Sequence, residues 1–345
     1  MSDSETRIDW YRSPIDKKVL AELTKRNNWR PLLHNLGMLG FSAATGALAV
    51  WAFHNLAWPW VVVTCYLHCT FFGYFGGGAG GHELSHRNMF RSAWLNEFFI
   101  RFSGFLTGFN FYLFRASHTR HHHYTVHHDL DREVMLPADL KWYQWIWSTT
   151  LHPTGFFREI RMMAANLLPA GGKANRKQWA VLGLSVDSPE YRAGLRWMRI
   201  VVLGQLALAI LFVLSGNWIL LIVVTFARFF ANWHKGLTHI PQHFGMRPDV
   251  ADWRQSTRTY LAGPIVQFFY WNMNYHVEHH MYAAVPFYNL PKLRKAIEGD
   301  LPEANYGLLA TWKELLRAHR RTKENPSYYF TPKFPETATP GPGMS

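Results

Sequence analysis

Apolar positions gather into four stretches arranged as two pairs. The first pair covers about 32–53 and 58–78, joined by His54-Asn-Leu-Ala57; the second covers about 199–214 and 218–230, joined by Ser215-Gly-Asn217. Links this short allow little beyond a tight helical hairpin. A bilayer core of about 30 Å needs roughly 20 helical residues. The first pair meets that length, whereas the second must borrow residues from its flanks. Two further stretches, 94–114 and 260–274, are aromatic and apolar but interrupted, one by Arg101 and small residues and the other by Gly263-Pro264. They read as amphipathic segments lying in an interface plane. The pattern predicts an all-α integral membrane fold in which two transmembrane hairpins (four spans) carry a cytosolic helical cap. Residues 1–31 form a polar N-terminal segment, 32–324 the membrane domain, and 325–345, rich in Pro, Thr and Gly, an irregular tail.

Charge orients this arrangement. Arg7, Arg12, Lys17, Lys18, Lys25, Arg26 and Arg30 precede the first span, and the regions 82–198 and 232–345 are also basic, whereas neither hairpin link has a Lys or Arg. By the positive-inside rule both termini and the long middle segment face the cytosol. Trp29, Trp58, Trp60, Trp218 and Trp233 flank the spans as an interfacial belt would. The net charge of +13 is dispersed among apolar spans, which suits anionic headgroups better than nucleic acid. Cys65 and Cys69, four apart in an apolar run, read as small buried residues and exclude a disulfide framework. The polar first thirty residues contain no cleavable signal peptide and favour a bacterial inner membrane.

Histidine supplies the chemistry. His82-Glu-Leu-Ser-His86, His118-Thr-Arg-His121-His122 and His276-Val-Glu-His279-His280 place imidazoles three and four residues apart, hence on one face of a helix. His239 and His243 repeat the spacing, although Pro241 between them interrupts a regular helix. The charge pattern places every cluster on the cytosolic side. Ten imidazoles exceed the four ligands of one zinc; two ions of five or six coordination can use them, and nitrogen-rich sites with open positions suit iron and oxygen chemistry. Glu83, Glu278 and Asp129 are candidates to orient imidazoles from behind.

The three boxes, in this order and alternating with hairpins, resemble those of the membrane fatty-acid desaturase and hydroxylase superfamily, HxxxH, HxxHH and HxxHH. The segment Asn274-Tyr-His-Val-Glu-His-His-Met-Tyr-Ala-Ala-Val-Pro-Phe-Tyr-Asn-Leu-Pro291 is similar to the third-box context of acyl desaturases, and the resemblance spans roughly 35–315. It implies two iron ions ligated by His82, His86, His118, His121, His122, His276, His279 and His280, with His243 at the position where the family adds a histidine and His239 as a weaker candidate. It also implies O2-dependent oxidation of an unactivated C–H bond in a lipid, foremost desaturation of a fatty acyl chain; the alternative is hydroxylation or ketolation of a lipid or carotenoid by the same centre. The sequence has no attached electron carrier, so ferredoxin, or cytochrome b5 with its reductase, is the expected donor.

Competing readings are weaker. His82-Glu83-Leu84-Ser85-His86 satisfies the HExxH signature of zinc metalloproteases, but that reading leaves the other clustered histidines unexplained. Transport calls for ionisable groups within spans, and His68 is the best of these. His54, His123, His127 and His128 read as interfacial, solvent-facing or supporting residues. The run Gly76–Gly81 lacks the Lys-Ser/Thr of a phosphate loop and suits close helix packing or a flexible exit. The aromatic stretch Trp142–Trp147 fits an acyl tunnel and a membrane-facing surface equally well.

Overall fold

The computed structural model describes residues 7–75, 78–134 and 153–344. The aromatic stretch Trp142–Trp147 lies outside them. The fold is mostly helical and divides into two compact units, each built from separated segments. One comprises Asn27–Ala116 and Leu140–Gly236; the other comprises Met1–Arg26, Ser117–Asp139 and Leu237–Ser345.

The unit Asn27–Ala116 with Leu140–Gly236 holds the apolar helices. Trp29–Asn55 and Pro189–Leu214 are long and apolar enough to cross a bilayer, with mean hydropathy 1.6 and 2.2. Most of their surface is uncovered: Leu33, Leu36 and Trp51 on the first, and Ile200, Leu203, Leu206 and Leu211 on the second, are exposed. A soluble core helix buries such residues; a helix that presents them outward needs an apolar surrounding, and this supports membrane association. Trp58–Phe75 packs antiparallel on Trp29–Asn55, as the descending register of Phe41 on Phe71, Thr45 on His68 and Ala49 beside Cys65 shows.

The expected spans differ from the structure in two places. Trp58–Phe75 is helical but includes Trp58, Pro59, Thr64, His68 and Thr70, and it is not among the helices that are both long and apolar enough to cross a bilayer. The stretch 218–230 is not one α-helix: a π-helical turn at Leu221–Thr225 leads into a 3-10 turn at Ala227–Phe229. The cause lies in the facing helix. His68 Nε2–H donates to Val223 O at 2.7 Å, and a carbonyl drawn to a side chain leaves the regular ladder. Local apolarity carries no trace of that contact.

The stretch 94–114 contains the helix Ala93–Thr107, whose Asn96, Phe99, Ile100, Ser103 and Thr107 are buried while Trp94, Phe98 and Phe102 form an exposed stripe. This suits a helix lying in an interface. Gly108 ends it in the left-handed region at φ 65°. A Cβ there would collide with the Arg228 guanidinium, which donates to Thr107 O and pairs with Glu159 at 3.1 Å.

The other unit consists mainly of short helices and turns, with a longer helix at Leu308–Glu324. A two-residue parallel strand pair, Tyr260–Leu261 with Asn305–Tyr306, ties its middle to its C-terminal part. Tyr260, Tyr270, Trp271, Phe287, Leu290 and Leu293 form its fully buried core. Residues 325–344 have no helix or strand, yet backbone bonds such as Phe330 N to Gly245 O at 2.7 Å hold them down. The stretch 260–274 contains the strand Tyr260–Leu261 and the short helix Pro264–Phe269, with Ile265 exposed.

Gly108→Ala combines a left-handed backbone position with a displaced Arg228. It is expected to destabilise the protein by roughly 1–3 kcal/mol, read as a lowered thermal midpoint in detergent. An unchanged midpoint would remove Gly108 from the packing argument.

Candidate metal centre

The second histidine box occupies the last turns of the helix Phe111–Tyr124, and the third fills the one-and-a-half-turn helix His276–Met281, every residue of which is buried. Pro241 ends the helix Trp233–His239 and opens a 3-10 turn at Ile240–Gln242. That change of path turns His243 inward, where it is buried, and keeps it out of line with His239. His121, His243, His276 and His280 then converge: all four are buried, with one nitrogen of each within 4.8 Å of the others. Nε2 of His276 lies 3.0 Å from that of His243 and 3.2 Å from that of His280. Metal–imidazole bonds of about 2.1 Å at right angles separate two nitrogens by about 3.0 Å.

The outer ring atoms decide which nitrogen faces inward. His121 Nδ1 is 2.8 Å from Asp131 Oδ2 and His243 Nδ1 is 3.1 Å from Ser256 O. Carboxylate and carbonyl oxygens only accept, so each Nδ1 carries the proton and each Nε2 of the neutral ring is bare. Thr125 Oγ1 donates to His121 O at 2.8 Å and therefore accepts from His280 Nδ1 at 3.2 Å. Gln242 Nε2 lies 3.0 Å from His276 Nδ1. At least three bare lone pairs thus point into one buried space, which is what a cation satisfies. The donor set fits a divalent transition metal.

Electrostatics support neutral rings at His243 and His280. Burial pushes His243 down to about 3, and burial with neighbouring imidazoles holds His280 well below its usual range. For His121 burial pulls downward, but the hydrogen bond and charge of Asp131 outweigh it and the net shift is upward. Asp131 is in turn lowered, its burial being outweighed by His121. It also accepts from Val126 N at 2.8 Å and Glu133 N at 2.9 Å through its two oxygens, so its position is fixed.

His118, His122 and His279 gather beside this set. The ring of His122 lies 4.6 Å from that of His118, 5.0 Å from that of His279 and 4.3 Å from that of His280. Nε2 of His118 and His122 are 3.1 Å apart, and His118 Nδ1 meets Glu133 Oε2 at 3.0 Å. In the first box, on the helix Ala79–Ser85 and its cap, the rings of His82 and His86 are 5.1 Å apart. His82 Nδ1 is 3.1 Å from the buried Glu83, whose carboxyl burial pushes up to about 7. Gly78 introduces that helix, where a Cβ would come within 2.8 Å of Gly73 O; close packing is the reason for glycine there.

His239 is not brought into either group: its Nδ1 meets Thr238 Oγ1 at 3.1 Å and its ring packs on Tyr270 at 4.9 Å. His127 bonds Thr125 O, and His128 pairs with Asp249 at an exposed position. His123 is exposed, and His54 packs against Phe53. Of the three suggested orienting carboxylates only Glu83 meets an imidazole. Glu278 instead holds Thr259 and Arg294, while Asp129 lies exposed at φ 59°. The carboxylates on box two are Asp131 and Glu133, which follow Asp129 directly in the chain. Left-handed turns at Val126 and Asp129 fold them back, so an acidic cluster after the box was the visible signal, but its register was not. Gln242 was visible only as the residue before His243, and Thr125 and the Ser256 carbonyl left no sequence signal.

A cavity of about 1020 Å³ opens on this centre, with His122 and His280 in its wall beside Trp10, Trp253, Met281 and Tyr282.

Short helices that present buried, tautomer-fixed imidazoles, in a chain that also has bilayer-length apolar helices, define a membrane-associated histidine-rich protein able to bind metal. The chain belongs to the fatty acid desaturase family, whose model matches residues 57–312. A comparison with curated proteins finds no match. Membership makes the protein an oxidoreductase of fatty-acid metabolism and leaves the protease reading of His82–His86 without support.

Asp131→Asn keeps the size of the side chain but removes the charge behind His121. Metal affinity, measured by chelator competition, is expected to fall about 10–100-fold with helical content unchanged. Wild-type affinity in this variant would show that Asp131 does not tune the site.

Proposed function

We propose that the protein is a di-iron enzyme that uses O2 to desaturate a fatty acyl chain. The observation that carries this reading is the convergence of His121, His243, His276 and His280 on one buried space, with the Nε2 of His121, His243 and His280 bare. These four hold iron, and His82, His86, His118, His122 and His279 are the further ligands that the three-box pattern implies. His239 is a candidate only through its spacing from His243. Iron held by these residues supplies the reduction of O2 and the oxidation of an unactivated C–H bond.

The chain contributes orientation and dryness. Asp131, Thr125 and the Ser256 carbonyl fix ring planes and tautomers, so no reorganisation is needed at the moment of reaction. Burial keeps His243 and His280 neutral and excludes water that would quench the oxidant. The cavity beside His122 and His280 suits an acyl chain brought to the centre. Conversion of CH2–CH2 to CH=CH with reduction of O2 to two waters consumes two further electrons and two protons. They come from an external donor, ferredoxin or cytochrome b5 with its reductase. The charge pattern supports a multi-pass membrane protein with its termini and metal centre on the cytosolic side.

Expression in a host with a defined lipid pool, followed by product analysis, tests the reaction: new double bonds are expected, and hydroxylated or keto lipids would replace desaturation with the alternative. Purified anaerobically, the protein should contain about two irons per chain by elemental analysis. A single zinc would sink the di-iron assignment. Ala283 also lines the cavity, and Ala283→Trp, which fills part of it, should raise KM or abolish turnover while leaving iron content intact; wild-type kinetics would mean that substrate does not use this cavity.

A further inference from the structure

Both ends of the chain meet at one buried arginine. The Arg254 guanidinium is fully buried and pairs with Asp252 at 2.8 Å and Asp300 at 3.0 Å. From the N-terminal side the Tyr11 ring lies 3.8 Å from it, and the Tyr11 hydroxyl donates to Asp300 Oδ2 at 2.9 Å. From the C-terminal tail Thr339 O accepts from Arg254 Nη2 at 3.1 Å, while Thr339 N donates to Asp300 Oδ1 at 2.7 Å. Gln255 adds a bond to Pro342 O at 2.6 Å.

Arg254 stands in the four-residue helix Trp253–Ser256, capped by Asp252, whose Oδ1 accepts from Arg254 N at 3.0 Å. So short a helix has no stability of its own, and its geometry comes from these side-chain and terminal contacts. Both of its ends reach the metal centre. Trp253 Nε1 donates to Thr125 Oγ1 at 3.2 Å, the hydroxyl that orients His280, and Ser256 O orients His243. Trp10 stacks on Trp253 with ring centres 4.4 Å apart and planes at 3°, and its own Nε1 donates to His123 O. Because a fully satisfied buried polar cluster admits one arrangement, clamping Arg254 fixes the two oxygens that hold the ligand rings.

We propose that Arg254, clamped by both chain termini, is a positioning residue for the metal centre that sets the orientations of His280 and His243 through the turn Trp253–Ser256. The proposal rests on metal occupancy of the four-histidine set and not on the reaction performed there.

The test uses the metal-free full-length protein loaded with Co2+, whose visible spectrum reports ligand geometry, with affinity measured by chelator competition. His243→Ala identifies the signal of this set. Arg254→Lys keeps the charge but loses the planar fork. Gly341→Ala pushes the tail from its seat, since a Cβ there would collide with Asp252 and Arg254, and Trp253→Phe removes the N–H while keeping an aromatic ring to stack on Trp10. Each should lower Co2+ affinity about 10-fold and alter the spectrum with helical content unchanged, while Glu336→Ala, at an exposed tail position, should match wild type. If Arg254→Lys does not fold, the other two decide. Wild-type affinity and spectrum in folded Gly341→Ala and Trp253→Phe would overturn the proposal. A wild-type protein with no His243-dependent signal would overturn the metal assignment and the proposal together.

Discussion

A neutral imidazole has one proton, and whichever nitrogen carries it cannot bind a metal. The unit that contains the second and third boxes is organised around that constraint. Asp131, the Ser256 carbonyl and the Thr125 hydroxyl each take an Nδ1 proton from outside the cluster, which leaves Nε2 bare on the inside. Buried polar groups are costly unless each has a partner, and here the partners that prevent that cost also select the tautomer. One set of hydrogen bonds serves both stability and ligation.

Those partners must themselves be held, and the unit has little regular structure with which to hold them. Asp131 accepts backbone N–H groups on a turn that needs a left-handed Val126. Thr125 is fixed by the His121 carbonyl and by Trp253. The Ser256 carbonyl belongs to a single helical turn stabilised by the Asp252–Arg254–Asp300 cluster. Precision comes from a network of side-chain bonds between short segments, where longer helices would have provided it by repetition. The other unit has long helices with an outward apolar surface. His68 is buried in it and draws the facing segment into a π-helical turn.

Much of the site was legible because metal ligation leaves a periodic mark. Imidazoles that share a helix face must recur at three or four residues, and the boxes at 82–86, 118–122 and 276–280 do so. His243 was reachable by the same spacing, but so was His239, and Pro241 separated their fates by changing the helical path between them. The orienting groups were a harder problem. Asp129, Asp131 and Glu133 are indistinguishable as letters; the choice between them depends on two left-handed residues whose conformation no pattern announced. Residues 325–344 have no helix or strand, yet their bonds to Arg254 and Gln255 make them part of the support around the centre.

Residue order alone therefore decided the ligand type, the helical character, the apolar segments and the family resemblance, because these depend on composition and on periods of a few residues. Tertiary structure decided which nitrogen of each ring faces inward, which carboxylates stand behind His118 and His121, and where the fourth apolar stretch breaks. Each of those outcomes depends on a contact between residues whose separation along the chain carries no period. His68 with Val223, Ser256 with His243 and Thr125 with His280 are adjacent only once the backbone has turned.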